Sequence, residues 1–167
     1  KHYINIYMSR SGRIEKRQLM PDPIYGNRLI TRLINRVMKD GKKSVAQKAV
    51  YKAIELAASQ RKVNDPSELL RQALDNIKPI MEVRSRRVGG AAYQVPVPVK
   101  GDRRETLAIR WIVEAARKRS SKDYHSFAEK LSAEILAALQ NEGDAIVKRD
   151  TTHKAAEANK AFAHYAW

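Results

Sequence analysis

Residues Met81 to Lys100 read MEVRSRRVGGAAYQVPVPVK, and the rest of the chain is arranged around this stretch. Two runs of alternating apolar and polar residues flank Gly89-Gly90, the pattern of a β-hairpin. Met81, Val83 and Ser85 share one face of the first run, and Glu82, Arg84 and Arg86 share the other. The second run puts Tyr93, Val95, Val97 and Val99 on one side, with Gln94, Pro96 and Pro98 opposite. Proline has no N–H to give a ladder, so the ribbon should keep an edge unpaired. Arg84, Arg86 and Arg87 stand just before the turn. A basic finger with a glycine tip is a poor core element and a good probe of something anionic.

The segments before the hairpin have a helical period. Between Ile24 and Lys39, Leu29, Leu33 and Val37 line up with Ile30, Ile34 and Met38 as an apolar stripe. Arg28, Arg32 and Arg36 stand four apart on another face, a spacing that costs an isolated helix roughly 0.2–0.5 kcal/mol per like-charged pair. A negative partner outside the protein would remove that cost; a solvated face is the alternative. Asp40-Gly41-Lys42-Lys43 stops this helix, and Ser44 with Gln47 suggests a capping box for the next. A phosphate-loop reading of Gly41-Lys42 fails, because Lys43 stands where Ser or Thr is needed and Arg36 where the first glycine is needed. The second helix, about 44–60, should turn Val45, Ala49, Val50, Ala53, Ile54 and Ala57 inward. Asp65-Pro66-Ser67-Glu68 then supplies an N-cap, an N1 proline and an acid for a third helix with Leu69, Leu70, Ala73, Leu74 and Ile77 inward.

After the hairpin, Asp102 is placed to cap a fourth helix reaching Lys118, with Leu107, Ala108, Trp111, Ile112 and Ala115 as its buried stripe. Arg117, Lys118 and Arg119 at its end suit the helix dipole. Arg103 and Arg104 lie at its positive end, where that explanation has the wrong sign, and this favours phosphate contact. A fifth helix, Tyr124 to Asn141, carries Phe127, Leu131, Ile135 and Leu139, and Gly143 should stop it. The remainder is helical at least to Ala163. Phe162, Tyr165 and Trp167 give it an aromatic end, suited to packing on the domain or to stacking on bases.

Ahead of all this, residues 1–23 read as a basic N-terminal arm carrying Arg10, Arg13, Lys16 and Arg17. It is either a frayed terminus or an arm that orders on nucleic acid. The expected architecture is mainly α: a six-helix single domain over residues 24–167 with a protruding β-hairpin. Lys+Arg 33 against Asp+Glu 18 gives a net charge of +15. That excess favours a polyanion, nucleic acid before anionic membrane. Cysteine is absent, which excludes disulfides and thiolate metal sites. No apolar run approaches the roughly 18–20 residues that span a bilayer. His2, His125, His153 and His164 show no metal-ligand spacing. Neither a nucleophile elbow nor a dinucleotide fingerprint occurs. The chain reads as no enzyme, with no cofactor, no metal, no membrane and no small-molecule substrate.

Several strings resemble one known family, that of small-subunit ribosomal protein seven. They are Pro21-Asp22-Pro23; Asp40-Gly41-Lys42-Lys43-Ser44; Glu82 to Gly90 with Tyr93-Gln94-Val95-Pro96; Ala108-Ile109-Arg110-Trp111-Ile112; and AEANKAFAHYAW from Ala156 to Trp167. The likeness covers about residues 8–167 in order and is closer to the bacterial type than to cytosolic eukaryotic members. It implies a six-helix domain with a protruding hairpin. Such a domain binds the 3′ major domain of small-subunit ribosomal RNA and nucleates assembly of the subunit head. Its hairpin would lie by the exit-site tRNA and the mRNA path, near ribosomal protein eleven and other head proteins.

By resemblance the arm, the first helix turn and the start of the fourth helix bind RNA: Arg10, Arg13, Lys16, Arg17, Lys42, Lys43, Arg103 and Arg104 here. Arg28, Arg32, Arg36, Arg110, Arg117, Lys118 and Arg119 complete the candidate RNA set. Arg84, Arg86, Arg87, Val88, Gly89, Gly90 and Tyr93 form the hairpin set facing tRNA and mRNA. Ala166 stands where many members have arginine. The expected location is the bacterial cytoplasm, with a mitochondrial or plastid ribosome as the alternative. A free-standing architectural or regulatory DNA-binding domain is the rival, and it needs a recognition helix that is not visible. A nuclease ranks behind it for want of clustered carboxylates.

Overall fold

The computed structural model describes residues 18–62 and 65–166. The arm residues Arg10, Arg13, Lys16 and Arg17, and the terminal Trp167, lie outside them.

Helix α1 (Arg28–Val37) begins at Asn27, whose side chain accepts the Leu29 N–H. It buries Ile30, Leu33, Ile34 and Val37, as its period requires. Ile24 precedes the helix and is exposed. The last residues of the expected arm are tied down rather than loose. Asp22 is only 3% exposed; its carboxylate accepts the N–H groups of Ile24 and Tyr25 and the Tyr51 hydroxyl at 2.7 Å.

Helix α2 (Lys43–Arg61) has no side-chain cap, so the expected Ser44–Gln47 box does not form. The Gln47 amide donates instead to the Tyr51 hydroxyl. Its buried stripe runs Ala46, Val50, Ala53, Ile54, Ala57 and Ala58; contrary to expectation, Val45 faces out and Ala49 is only half-buried. Helix α3 (Pro66–Ile77) follows its sequence signals closely: Asp65 caps through the N–H groups of Ser67 and Glu68, and Leu69, Leu70, Ala73, Leu74 and Ile77 are buried.

The hairpin forms as β1 (Met81–Val88) and β2 (Ala91–Pro98), antiparallel, with Val88 opposite Ala91. Gly89 and Gly90 both have positive φ, 57° and 89°. A two-residue turn that follows the strands' right-handed twist needs that sign at both positions, which glycine meets without steric cost. Directly paired residues share a face, so the register puts Glu82, Arg84 and Arg86 beside Val97, Val95 and Tyr93.

Helix α4 (Asp102–Lys118) starts after Gly101; Asp102 lies in its first turn and does not cap it. Ala108, Trp111, Ile112 and Ala115 are buried as expected. Helix α5 (Phe127–Leu139) is opened by a capping box, Ser126 with Glu129, and buries Leu131 and Ile135. It packs on α2, α3 and α4. Burying each such Leu or Ile side chain contributes about 1.5–3 kcal/mol.

Gly143 ends no helix. It precedes α6 (Asp144–Ala158) with φ of 92°, and a Cβ there would meet a Glu134 carboxylate oxygen at 2.8 Å. After α6 the chain tightens into a 3₁₀ turn, Lys160–Tyr165. That turn and α6 cover the base of the hairpin.

A candidate nucleic-acid interface

The arginines spaced by four along α1 face α4 across a groove of about 660 Å³. Arg28, Arg32, Arg36 and Arg110 line it, together with Gln18, Leu19, Asn35, Thr106, Ile109 and one carboxylate, Asp102. The repulsion expected along α1 is met inside the protein. Arg32 reaches Asp102 at 3.2 Å and also Glu105, and Arg36 reaches Glu114 at 3.4 Å. Arg36–Glu114 is an exposed pair, of a kind that contributes about 0–1 kcal/mol, while Arg32–Glu105 is partly buried; a guanidinium has five N–H donors, so such arginines keep capacity for phosphate. Arg28 and Arg110 are exposed and have no carboxylate partner among the described residues. Each side of the groove therefore carries an open cation, Arg28 on α1 and Arg110 on α4.

The α1–α2 turn adds Lys39, Lys42 and Lys43, all exposed, at the start of a helix with no acid in its first turn. At the end of α4 the three cations divide. Lys118 is exposed, and Arg117 is exposed while donating to the Val37 carbonyl at 3.1 Å. Arg119 is held within the protein: it donates to Glu134 at 2.8 Å and its guanidinium lies 5.5 Å from the Tyr124 ring centroid.

Arg103 and Arg104 have internal partners that their position on the helix does not reveal. Arg103 donates to both Glu82 carboxylate oxygens, at 2.8 and 2.9 Å, and Arg104 to the Pro79 carbonyl at 3.1 Å. Both tie α4 to the base of the hairpin. Their placement at the positive end of α4 is thus accounted for without a phosphate. The Arg103 side chain is still 53% exposed.

Glu82 is the centre of that base. It is 7% exposed and also accepts from Arg84 at 2.6 Å. Burial, the largest single influence, pushes its carboxyl up; Arg103 and Arg84, by hydrogen bonds and charge together, outweigh burial and hold it below the usual glutamate range. On the finger, Arg87 is exposed opposite Ala92, and Arg86 is paired in register with Tyr93. The Tyr93 ring sits 5.3 Å from Phe162 and 5.2 Å from Tyr165. Phe162 and Tyr165 thus pack on the finger, one of the two roles expected of the C-terminal aromatics, and Trp167 lies outside the described residues. His153 accepts the Ile80 N–H at 3.0 Å. The finger is therefore held at its root from α4 and α6 and further out by the 3₁₀ turn.

Sequence reading missed Glu82, Asp22 and Glu134 as organising residues. Its only available signal was an acid inside an otherwise basic or apolar string. Among the described residues no group of three or more His, Cys, Asp or Glu is placed to hold a metal ion, and no helix is long and apolar enough to cross a membrane.

A helical body with a cationic groove, a basic turn and an anchored arginine finger has the charge and relief that suit a folded polyanion. Comparison gives that class its family: the model for ribosomal protein S7p/S5e matches residues 9–160, and the chain belongs to that family, which is structural and not enzymatic. The small ribosomal subunit protein uS7 of Thermotoga maritima is 56% identical over 158 residues, covering 95% of this chain and 99% of that protein. The uS7 proteins of Caldicellulosiruptor saccharolyticus and of Caulobacter sp. strain K31 are 52% and 53% identical over 160 residues, covering 96% of this chain and all of theirs.

Proposed function

We propose that the chain is a structural constituent of the small ribosomal subunit in the bacterial cytoplasm, acting by organising ribosomal RNA. The observation that carries this is the groove between α1 and α4, where four arginines meet with two of them free of carboxylate partners among the described residues. Family membership supplies the polyanion. Paired RNA hides its base edges in a deep, narrow groove, so a surface of this kind reads shape and phosphate position. In this reading Arg28, Arg32, Arg36 and Arg110, the Lys42–Lys43 turn and Lys118 lie on the 3′ major domain of small-subunit RNA. Binding there nucleates the subunit head. The finger, with Arg86, Arg87 and the Gly89-Gly90 tip, extends toward the exit-site tRNA and the mRNA path, beside ribosomal protein eleven.

The test is binding to the isolated 3′ major domain RNA against duplex DNA of equal length, across a salt series. A preference for RNA that survives at physiological salt is expected. Equal affinities that collapse together with salt would leave only non-specific charge attraction and reopen the DNA-binding rival. Deleting residues 86–92 should leave the RNA-bound domain folded while disturbing tRNA or mRNA handling; loss of folding would make the finger part of the core.

A further inference from the structure

We infer that a second pocket, beside the α1–α2 turn, receives one unpaired RNA base. This rests on the RNA-binding reading and adds a contact of a different kind to it. The pocket holds about 320 Å³ where the α1–α2 turn meets the end of α4 and the start of α5. Its floor is apolar, with Val45, Ala49 and Phe127, and its rim carries Lys39, Lys42 and Arg117.

Val45 is 63% exposed in the first turn of α2. Ala49, four residues on, lies on the same side, so α2 carries a short apolar strip beside its buried stripe. That strip explains why the helical period of α2 includes Val45 although the core does not. No carboxylate lines the pocket. An apolar side chain from a protein partner would have no use for three cations around it. A nucleotide splayed out of an RNA loop has use for both features: the base covers the apolar floor and the flanking phosphates meet the rim. Single-stranded RNA is recognised in that way, by stacking on aromatic side chains with cations along the backbone. The volume is at the small end of ligand pockets, about 300–1,000 Å³, which suits one base and excludes a duplex.

The experiment uses the full chain and the isolated 3′ major domain RNA. Val45→Ser removes the exposed apolar group without changing charge, and Phe127→Leu keeps the floor apolar but removes the ring. Each should weaken RNA binding about fivefold with an unchanged salt slope. Lys42→Gln should instead flatten the slope. In 2′-hydroxyl acylation of the bound RNA, one unpaired nucleotide protected by the native chain should become reactive with both floor variants. Val147→Ser, at an equally exposed valine on α6 (60% exposed), is the control and should leave affinity and protection unchanged.

Floor variants that bind as the native chain does, or that lose affinity with no change at any unpaired nucleotide, overturn the inference. So does normal RNA binding combined with defective subunit assembly, which would give the pocket to a protein neighbour. If the native chain itself shows no preference for RNA over DNA, the parent reading has failed, a result seen before any variant is made.

Discussion

Two buried glutamates, one in the body and one at the root of the finger, each hold arginine, and they stabilise different things. Glu134 is 1% exposed and joins three helices: it lies on α5, accepts from Arg119 just after α4 at 2.8 Å, and accepts the Ala145 N–H of α6 at 3.0 Å. Glu82 is 7% exposed and joins the finger to α4 through Arg103, with Arg84 of its own strand as second partner. Both arginine partners of Glu82 are about half exposed, whereas the Arg119 side chain is 23% exposed. Part of the cationic excess of this chain is therefore architectural. A count of arginines is not a count of free cations, and the two glutamates say which arginines to subtract from it.

The largest effect should come from the body. Glu134→Ala leaves Arg119 without its carboxylate and the Ala145 N–H without its acceptor, and breaking a buried pair this way costs about 3–5 kcal/mol. Thermal or urea unfolding should show one cooperative transition moved down for the whole protein. A loss confined to α6 would mean that Glu134 pins one helix and not the core.

Glu82→Ala should cost less, about 1–3 kcal/mol, because solvent reaches both partners. Its effect should be local: faster hydrogen exchange in β1 and β2 with helix amides unchanged and RNA-domain affinity retained. Acid should mimic it. The folded-state carboxyl of Glu82 titrates below the ordinary glutamate value of 4.5, so its stabilisation is complete above that value and is lost as pH falls through the depressed folded value. Hairpin amides should then lose protection in acid in the native protein but show no such pH step in Glu82→Ala. A matching step in the variant would assign it to another group.

Tyr93→Ala tests the outer hold on the finger. An aromatic pair contributes about 0.5–1.5 kcal/mol beyond the area it buries, and Tyr93 makes two such pairs. Chymotryptic cleavage at Phe162 and Tyr165 should speed up while the melting temperature moves little. Unchanged cleavage would show that α6 alone holds the 3₁₀ turn.

The same division between local and long-range causes separates what was legible in the sequence from what was not. Helix α3 was readable to the residue because its cap, its N1 proline and its apolar stripe all act within one or two turns. The hairpin turn was readable because two glycines with positive φ are a local requirement. The capping box was misplaced because Ser44 and Gln47 have the right spacing, yet the Gln47 amide goes to Tyr51, whose hydroxyl donates to Asp22, 29 residues away. Ser126 and Glu129 carried the same signal and formed the box. The stripe of α2 has the expected period but not the expected burial at Val45 and Ala49, since a period tells which residues share a face and not which neighbour covers them. The dipole of their own helix does not account for Arg103 and Arg104, and the carboxylate that explains Arg103 is 21 residues back on a strand.

That lesson sets the smallest effect, which bears on the groove directly. Arg28 and Arg110 have no carboxylate partner among the described residues, whereas Arg32 is shared with Asp102 and Glu105. If free arginines contact phosphate, Arg28→Gln and Arg110→Gln should each flatten the salt dependence of RNA binding by about 0.7–0.9 in log–log slope. Arg32→Gln should flatten it less, because the phosphate it meets must displace two carboxylates already in place. Those carboxylates, once released, would repel the RNA and lower affinity at every salt concentration. Equal slopes for all three variants would mean that the pairs with α4 open without hindrance when RNA arrives. The subtraction argued from Glu134 and Glu82 would then apply only where the carboxylate is buried.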